Sequence, residues 1–120
     1  MARVTLTKQT PVGPYPTLPV ASNSLDVTFT AADTTNFEQF LADGKNLVLV
    51  RNTHATNPGT VTFTSSADPQ GRTGDITTYS LGAGEVMAFL FKRPGWMQSD
   101  LYIYMQASAT TMQYAVLTGF

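Results

Sequence analysis

The chain has 120 residues, of which 42 % are apolar and 12 % charged, with a net charge of −1 and no cysteine. This length is close to the commonest size of a single domain, so we expect one hydrophobic core. The weak net charge excludes the basic surface of a nucleic-acid-binding protein. The lack of cysteine excludes disulfides, thiolate catalysis and sulfur-ligated metal sites.

Membrane and export signals are not evident. No stretch reaches the ~20 apolar residues of a membrane span, and the opening residues "MARVTLTKQT" lack the apolar core of a secretory signal. We therefore expect a protein that is made in a cytoplasm and does not bind membranes. Its charged fraction of 12 % is about half of the usual ~25 %. Such a surface offers little repulsion between copies, which predicts that a partner covers part of it.

The first 24 residues differ from the rest of the chain. Four prolines lie within the stretch "PVGPYPTLP", at Pro11, Pro14, Pro16 and Pro19. Such spacing is incompatible with a helix or a central strand and predicts an extended, partly polyproline arm over residues 1–24. The arm either packs on its own sheet or reaches a neighbouring subunit. A β-sandwich domain over residues 25–120 is expected to follow.

Two segments alternate between apolar and polar residues. In "LDVTFTA" the apolar side chains share one face, and they are Leu25, Val27, Phe29 and Ala31. In "GTVTFTS" Val61 and Phe63 do the same, with threonines opposite. This period of two predicts strands with one face on the core.

Two other segments, "NLVLV" (46–50) and "VMAFLF" (86–91), are apolar throughout. Continuous apolar strands need cover on both faces. One face goes to the core, so the second is predicted to meet a loop, the arm or another subunit.

Turn signals separate these segments at the spacing of an all-β protein. They are Asp43-Gly44, Asn57-Pro58-Gly59 (a type II pattern), Gly82-Ala83-Gly84 and Pro94-Gly95. About eight strands result, which predicts a single-domain, two-sheet, jelly-roll-like sandwich. One short helical turn is predicted at "NFEQFLADG", with Asn36 as its cap and Gly44 at its end.

The glycine-rich stretch "QGRTGDITTYSLGAGEV" (70–86) resembles a phosphate loop only superficially. Strands rather than helices are predicted after both glycine pairs, and no lysine follows. The glycines therefore indicate turns that need positive φ. Arg72 and Asp75 are predicted either to bridge across this turn or to pair with a neighbouring subunit.

Catalytic signals are weak. His54 is the single histidine and lies in a polar loop, and no G-x-S-x-G nucleophile motif is present. We expect no enzyme, no catalytic residue, no cofactor and no metal. Two alternatives are a calcium site formed by Asp68, Asp75 and Asp100 and a carboxylate pair for glycoside hydrolysis.

The aromatic residues near the end of the chain leave two interpretations open. Trp96 follows the Pro94-Gly95 turn and is either an interface anchor or a lid over the end of the core. Three tyrosines form either a sugar-binding platform or cross-strand packing, and they are Tyr102, Tyr104 and Tyr114.

Several stretches together resemble a known class of small virion proteins. They are "GPYPTLPVA", "FTAADTTN", "GKNLVLVRNTHATNPGTVTFTSSADPQGRTGDITTYSLGAGEV", "PGWMQSD" and "MQYAVL". The pattern resembles the head auxiliary proteins of tailed bacteriophages, also called decoration or cement proteins. One departure is "SDL" (99–101), which stands where the pattern has Asp-Gly, so a different local turn is expected.

This resemblance implies a small β-rich protein bound to the outside of a phage capsid, over contacts between major capsid proteins. The expected partners are the major capsid protein and further copies of the chain, as a homodimer or homotrimer. The expected location is the outer capsid surface of the virion, after synthesis in the host cytoplasm. The alternatives are a head–tail connector, tail or fibre component, and a carbohydrate-binding β-sandwich module. The predicted contact residues are Val12, Tyr15, Leu18, Arg72, Asp75 and Trp96.

Overall fold

A computed structural model describes residues 3–11 and 26–118 of the chain. The described residues form ten strands: β1 (Val4–Thr5), β2 (Lys8–Gln9), β3 (Thr30–Ala31), β4 (Glu38–Leu41), β5 (Lys45–Asn52), β6 (Gly59–Thr64), β7 (Ile76–Leu81), β8 (Val86–Lys92), β9 (Tyr102–Ala107) and β10 (Met112–Leu117). Within these two ranges, no helix has the length and apolar character that crossing a membrane requires.

The strands form a two-sheet sandwich. Sheet A has the order β1-β4-β9-β6-β7, and sheet B has the order β2-β10-β5-β8, with β3 also paired to β10. From β3 onward, every connection crosses from one sheet to the other except the link between β6 and β7. This is the strand order of a jelly roll. The predicted all-β, jelly-roll-like sandwich is therefore confirmed.

Alternating side chains from both sheets fill the space between them. The inward faces of β5, β6 and β9 are buried at every second residue, as a period of two requires. The rings of Phe40, Phe63 and Phe91 meet at the centre, with centroids 6.3 and 4.8 Å from that of Phe91. Val61 and Phe63 are fully buried, as predicted.

The predicted strand over "LDVTFTA" is mostly wrong. Leu25 lies outside the described residues, and only Thr30–Ala31 pairs, with β10. Val27 is 38 % exposed, and the ring of Phe29 lies 4.0 Å from the Arg51 guanidinium on the outer side of sheet B. The apolar face therefore points away from the core, because the short pairing with β10 decides which face turns inward.

The described part of the predicted arm, residues 3–11, contributes a strand to each sheet. β1 pairs in parallel with β4, and β2 pairs in parallel with β10. Leu6, between them, is only 7 % exposed and belongs to the core. Val12, Tyr15 and Leu18 lie outside the described residues, so their proposed contacts and the course of the arm stay predictions.

The predicted helix over "NFEQFLADG" is wrong. Asp33 rather than Asn36 caps the turn, since its Oδ1 accepts the N–H groups of Thr35 and Asn36 at 2.9 and 3.0 Å. The turn ends at Phe37, whose φ is 63°. β4 follows at once, because pairing with β9 on one edge and β1 on the other satisfies its backbone.

The turn glycines fall into two kinds. Of the four glycines in the stretch 70–86, Gly71 and Gly84 have the predicted positive φ, whereas Gly74 and Gly82 do not, so the prediction is wrong for those two. Gly44 and Gly95 also have positive φ. Gly59 does not, so the type II turn predicted at Asn57-Pro58-Gly59 is wrong. A Cβ at Gly59 would lie 2.5 Å from the sulfur of Met112, so this position requires glycine for space.

Leu101 adopts a backbone conformation that favours glycine. Its φ is 76°, and its side chain is 55 % exposed. Two hydrogen bonds hold the backbone there: its N–H donates to the Gln98 carbonyl at 2.9 Å, and its carbonyl accepts from Ala42 at 3.0 Å. Leucine thus takes the left-handed conformation that usually favours glycine. The expected difference between this turn and that of the class that the chain resembles stays a prediction.

Leu101→Gly is expected to raise the free energy of unfolding by roughly 0.5–1 kcal/mol. The left-handed conformation costs a leucine roughly 1–2 kcal/mol, and the extra freedom of glycine in the unfolded chain offsets part of that gain. Urea unfolding measures the change. Leu41→Gly, at a similarly exposed leucine in β4, is the control and should lower stability. A Leu101→Gly protein that is less stable than the wild type would show that the left-handed backbone conformation of Leu101 is not strained.

Candidate functional site

A surface groove lies at one end of the sandwich, between the loop 65–75 and the turn 93–96. Its volume is about 370 Å³, and its wall includes Asp68, Gln70, Arg72 and Trp96. The Ser66 N–H donates to the Gly95 carbonyl at 2.8 Å and joins the loop to the turn. The structure thus brings Arg72 and Trp96, which are 24 residues apart in sequence, to one site.

Asp68 organises the loop that carries Arg72. Its Oδ1 accepts the backbone N–H groups of Gln70 and Arg72, both at 2.9 Å, and its Oδ2 accepts from Arg72 Nε at 2.7 Å. The predicted bridge between Arg72 and Asp75 is therefore wrong, because the tight turn places the guanidinium beside Asp68. The Arg72 side chain remains 75 % exposed and is presented to solvent.

Asp75 closes the base of the same loop. Its Oδ1 accepts from the backbone N–H and the hydroxyl of Ser65, at 2.8 and 2.7 Å. These hydrogen bonds lower the pKa of Asp75, and the N–H and guanidinium of Arg72 lower the pKa of Asp68. A carboxyl group whose pKa is lowered by folding stabilises the fold at pH values above its ordinary pKa. This stabilisation is lost as the pH falls through the lowered pKa. The groove loop is therefore best ordered above about pH 4.

Trp96 is half-buried and packs on the core. Its ring centroid is 4.9 Å from that of Phe91 and 6.0 Å from that of Phe89, both edge-on. Trp96 also lines the groove. The interpretation as a lid over the end of the core is confirmed, and its role as an interface anchor stays a prediction.

The three tyrosines do not form one platform. Tyr114 is 1 % exposed and points into the core. Tyr104 donates its hydroxyl to Asp100 and lies under the Arg3 guanidinium, whose carbon is 4.3 Å from the ring centroid. Tyr102 is half-buried, with its side chain on the same outer side of sheet A as Tyr104. The alternative of a sugar platform formed by Tyr102, Tyr104 and Tyr114 together is therefore wrong.

The acidic residues considered for a calcium site accept hydrogen bonds from neighbouring protein groups instead. Within residues 3–11 and 26–118, no three His, Asp or Glu side chains come together as metal ligands. Asp68 and Asp75 bind their own loop, and Asp100 binds Tyr104. His54 has a structural role that sequence analysis missed: its Nδ1 accepts the N–H groups of Thr56 and Asn57, at 3.0 and 2.9 Å.

Glu38 is a buried carboxylate that sequence analysis also missed, since it fell in the predicted helical segment. It is 1 % exposed, and its Oε2 accepts the N–H of Asp33. Its Oε1 and the Tyr114 hydroxyl are buried close to each other, and no other described residue hydrogen-bonds to either atom. Burial raises the pKa of Glu38, and burial together with the nearby Glu38 charge raises the pKa of Tyr114.

Glu38→Gln is expected to gain stability relative to the wild type as pH rises. Because folding raises the pKa of Glu38, its protonated carboxyl group stabilises the fold at pH values below the ordinary pKa of 4.5. That contribution is lost as pH rises through the raised value. Glutamine lacks this titration, so the difference in unfolding free energy between the two proteins should move toward the variant between pH 4 and 7.

Urea titrations at several pH values measure that difference. Glu85→Gln, at an exposed glutamate, controls for the loss of one negative charge. A Glu38→Gln difference that does not change between pH 4 and 7, or that moves the other way, would contradict the burial effect.

The geometry defines a jelly-roll β-sandwich with an organised groove at one end. Comparison of the chain with protein-family models, with curated proteins and with solved structures found no match.

Proposed function

We propose that this chain is a structural virion protein that binds the outside of a phage capsid and stabilises contacts between major capsid proteins. The observation that carries the proposal is the outer face of sheet B, which we call the apolar outer face: Leu47, Leu49, Val86, Ala88 and Leu90. Val86 and Leu90 are 59 % and 44 % exposed, on a chain with only 12 % charged residues. An exposed apolar patch of this kind, bordered by Arg51 at one end and by Lys45 and Lys92 at the other, fits a protein that works by adhesion.

The fold supports this proposal by analogy. Jelly rolls serve in viral capsid proteins and in lectins, although a fold alone does not define a function. A capsid presents many identical sites at high local density, so a modest interface at each copy is enough to hold a bound layer. A sandwich of two hydrogen-bonded sheets also suits a protein that must resist the pressure of DNA packed inside a capsid.

The groove supplies a second contact surface in this proposal. Arg72 is exposed and held in place by Asp68, and Trp96 is anchored on the aromatic core beside it. Arginine and tryptophan dominate the binding energy of many interfaces, because they bring large contact area with little loss of freedom. Val12, Tyr15 and Leu18 are further predicted contacts.

Co-sedimentation with capsids tests the proposal. The wild type is expected to pellet with mature, expanded capsids and not with unexpanded ones. Arg72→Glu should reduce binding about tenfold or more, since it reverses an exposed charge at the groove. Ala83→Glu, in the exposed turn before β8 and thus at the opposite end of that strand from the groove, is the matched control and should bind normally. A wild type that sediments with neither capsid form would overturn the proposal.

The same assay separates the nearest alternative. A head–tail connector, tail or fibre component would bind isolated connectors or tails rather than expanded heads.

A carbohydrate-binding module is the second candidate function, favoured by one observation. The groove places the Trp96 ring beside the polar side chains of Asp68, Gln70 and Arg72, which is the composition of a sugar subsite. A glycan array tests it. Binding that Arg72→Ala abolishes and Ala83→Glu retains would favour this function.

A further inference from the structure

β8 is an outermost strand, and its free edge is regular. Its pairing with β5 runs without interruption from Val86, opposite Arg51, to Lys92, opposite Lys45. The Asn52 N–H donates to the Glu85 carbonyl at 3.0 Å, and the Asn52 carbonyl accepts from the Gly84 N–H at 2.9 Å. The backbone of Asn52 therefore faces β8, and the hydrogen-bonded pairs of this ladder continue from it at every second residue of β5. Because such pairs alternate in antiparallel sheets, the backbone groups of Val86, Ala88 and Leu90 point away from β5, toward the free edge. No described residue hydrogen-bonds to these groups.

The neighbouring edge of sheet A is different. β7 is irregular there, since Thr78 has a φ of 46° and the pairing with β6 shifts register between Val61 and Phe63. Bulges of this kind block edge-to-edge pairing. β8 has no bulge, proline or glycine within Val86–Lys92. Of the two edge strands on this flank of the sandwich, β7 and β8, only β8 is therefore suited to accept another strand.

The side chains at this edge are apolar. Val86 and Leu90 are among the most exposed large hydrophobic residues, and Ala88 between them is also exposed. Val86 and Ala88 line a hollow of about 430 Å³ together with Tyr79, Met87 and Glu85. Tyr79 is itself 49 % exposed, so an aromatic side chain of sheet A also faces this hollow.

The two ends of β8 differ in charge: one is cationic, whereas the other carries Glu85, with Arg51 of β5 opposite Val86 and hydrogen-bonded to Gln113. Lys92 stands directly opposite Lys45, and Arg93 follows it, so one end carries three exposed cations. Like charges directly opposite in a sheet are unfavourable. Glu85 is exposed at the other end. The ion pairs of the described residues, Lys8–Asp43 and Arg72–Asp68, involve none of these four side chains.

We propose that β8 pairs antiparallel with β8 of a second copy, centred on Ala88, so that two copies of sheet B form one continuous sheet. In this arrangement the free backbone groups of Val86 meet those of Leu90 in the other copy. The cationic end of each strand lies beside Glu85 of its partner, whereas a parallel arrangement would place cations beside cations. The apolar outer faces of both copies then become one surface.

The expectation that the chain associates with itself rests on the proposed function. The pairing of β8 adds which strand forms the contact between the copies. Its test uses the isolated protein in solution, so it can fail while capsid binding succeeds. Sedimentation equilibrium of the wild type should show a dimer at tens of micromolar. A wild type that stays monomeric at about 100 µM would overturn the pairing and would leave the edge for a strand of another protein.

Ala88→Pro is the first variant. The Ala88 N–H faces the free edge, so proline removes a hydrogen bond to the second copy and none to β5. The dimer Kd should rise about tenfold or more. Leu90→Lys, at an exposed side chain, is the second variant in case the proline disturbs folding, and it should weaken the dimer similarly. A dimer that is unaffected by both variants would contradict the proposal.

Disulfide cross-linking tests which strand lies at the two-fold axis of the dimer. Since the chain has no cysteine of its own, a single introduced cysteine reports one position. Hydrogen-bonded antiparallel pairs have Cα atoms about 5.5 Å apart, which is within disulfide range. Ala88→Cys should therefore form a covalent dimer under mild oxidation. Thr77→Cys, on the edge strand β7, is the matched control and should not. Cross-linking at Thr77→Cys instead of Ala88→Cys would overturn the assignment to β8.

Discussion

Phe91→Ala will lower the free energy of unfolding by about 3–5 kcal/mol. The Phe91 side chain is fully buried, and its ring contacts those of Phe40, Phe63, Phe89 and Trp96, with centroids between 4.6 and 6.3 Å away. Alanine would leave a cavity where the two sheets and the groove turn meet. Since a domain of this size has only about 5–15 kcal/mol of stability, this single change removes a large share of it.

Denaturant unfolding, followed by tryptophan fluorescence, measures this loss. Trp96 packs edge-on against Phe91, so its emission should shift in the folded variant as well. Tyr79→Ala is the matched control, because it removes an aromatic side chain that is 49 % exposed on β7. It should cost less than about 1 kcal/mol. Equal losses for the two variants would show that Phe91 does not hold the core together.

Asn52→Ala is expected to lower stability by about 2–4 kcal/mol. Asn52 is 1 % exposed, and its amide joins separate loops. Its Nδ2 donates to the carbonyls of Asn57 and Leu81 at 2.9 and 3.0 Å, and its Oδ1 accepts from the His54 N–H at 3.0 Å. Alanine would leave the buried Leu81 carbonyl without this donor, and a buried polar group without a partner is costly.

Asn57→Ala is the control for this prediction. The bond to Asn52 uses the backbone carbonyl of Asn57, which alanine retains. The Asn57 side chain is exposed, and its one hydrogen bond among the described residues is a 3.3 Å contact with the Thr56 hydroxyl. Urea unfolding should therefore show a change within about 0.5 kcal/mol for Asn57→Ala. If both asparagine variants are equally destabilised, the buried amide is not the cause.

The candidate site was only partly predictable. Arg72 and Trp96 could be selected from their residue types and from the turns around them, yet nothing in the sequence places them in one groove. Their proximity depends on the bond between Ser66 and Gly95, which joins two loops that are far apart along the chain. The choice of Asp68 over Asp75 as the partner of Arg72 depends on the path of a turn, and turn geometry is poorly constrained by composition.

The sequence by itself determined the all-β fold, the central strands with their inward Val61 and Phe63, and the absence of thiol chemistry. These features follow from local period, turn residues and composition, which act over a few neighbouring positions. Only the tertiary structure decided that Glu38–Leu41 is a strand, that Leu6 belongs to the core, and that Phe29 faces outward. Each of these depends on pairing with a distant strand, because the hydrogen bonds and burial that such pairing supplies outweigh weak local preferences.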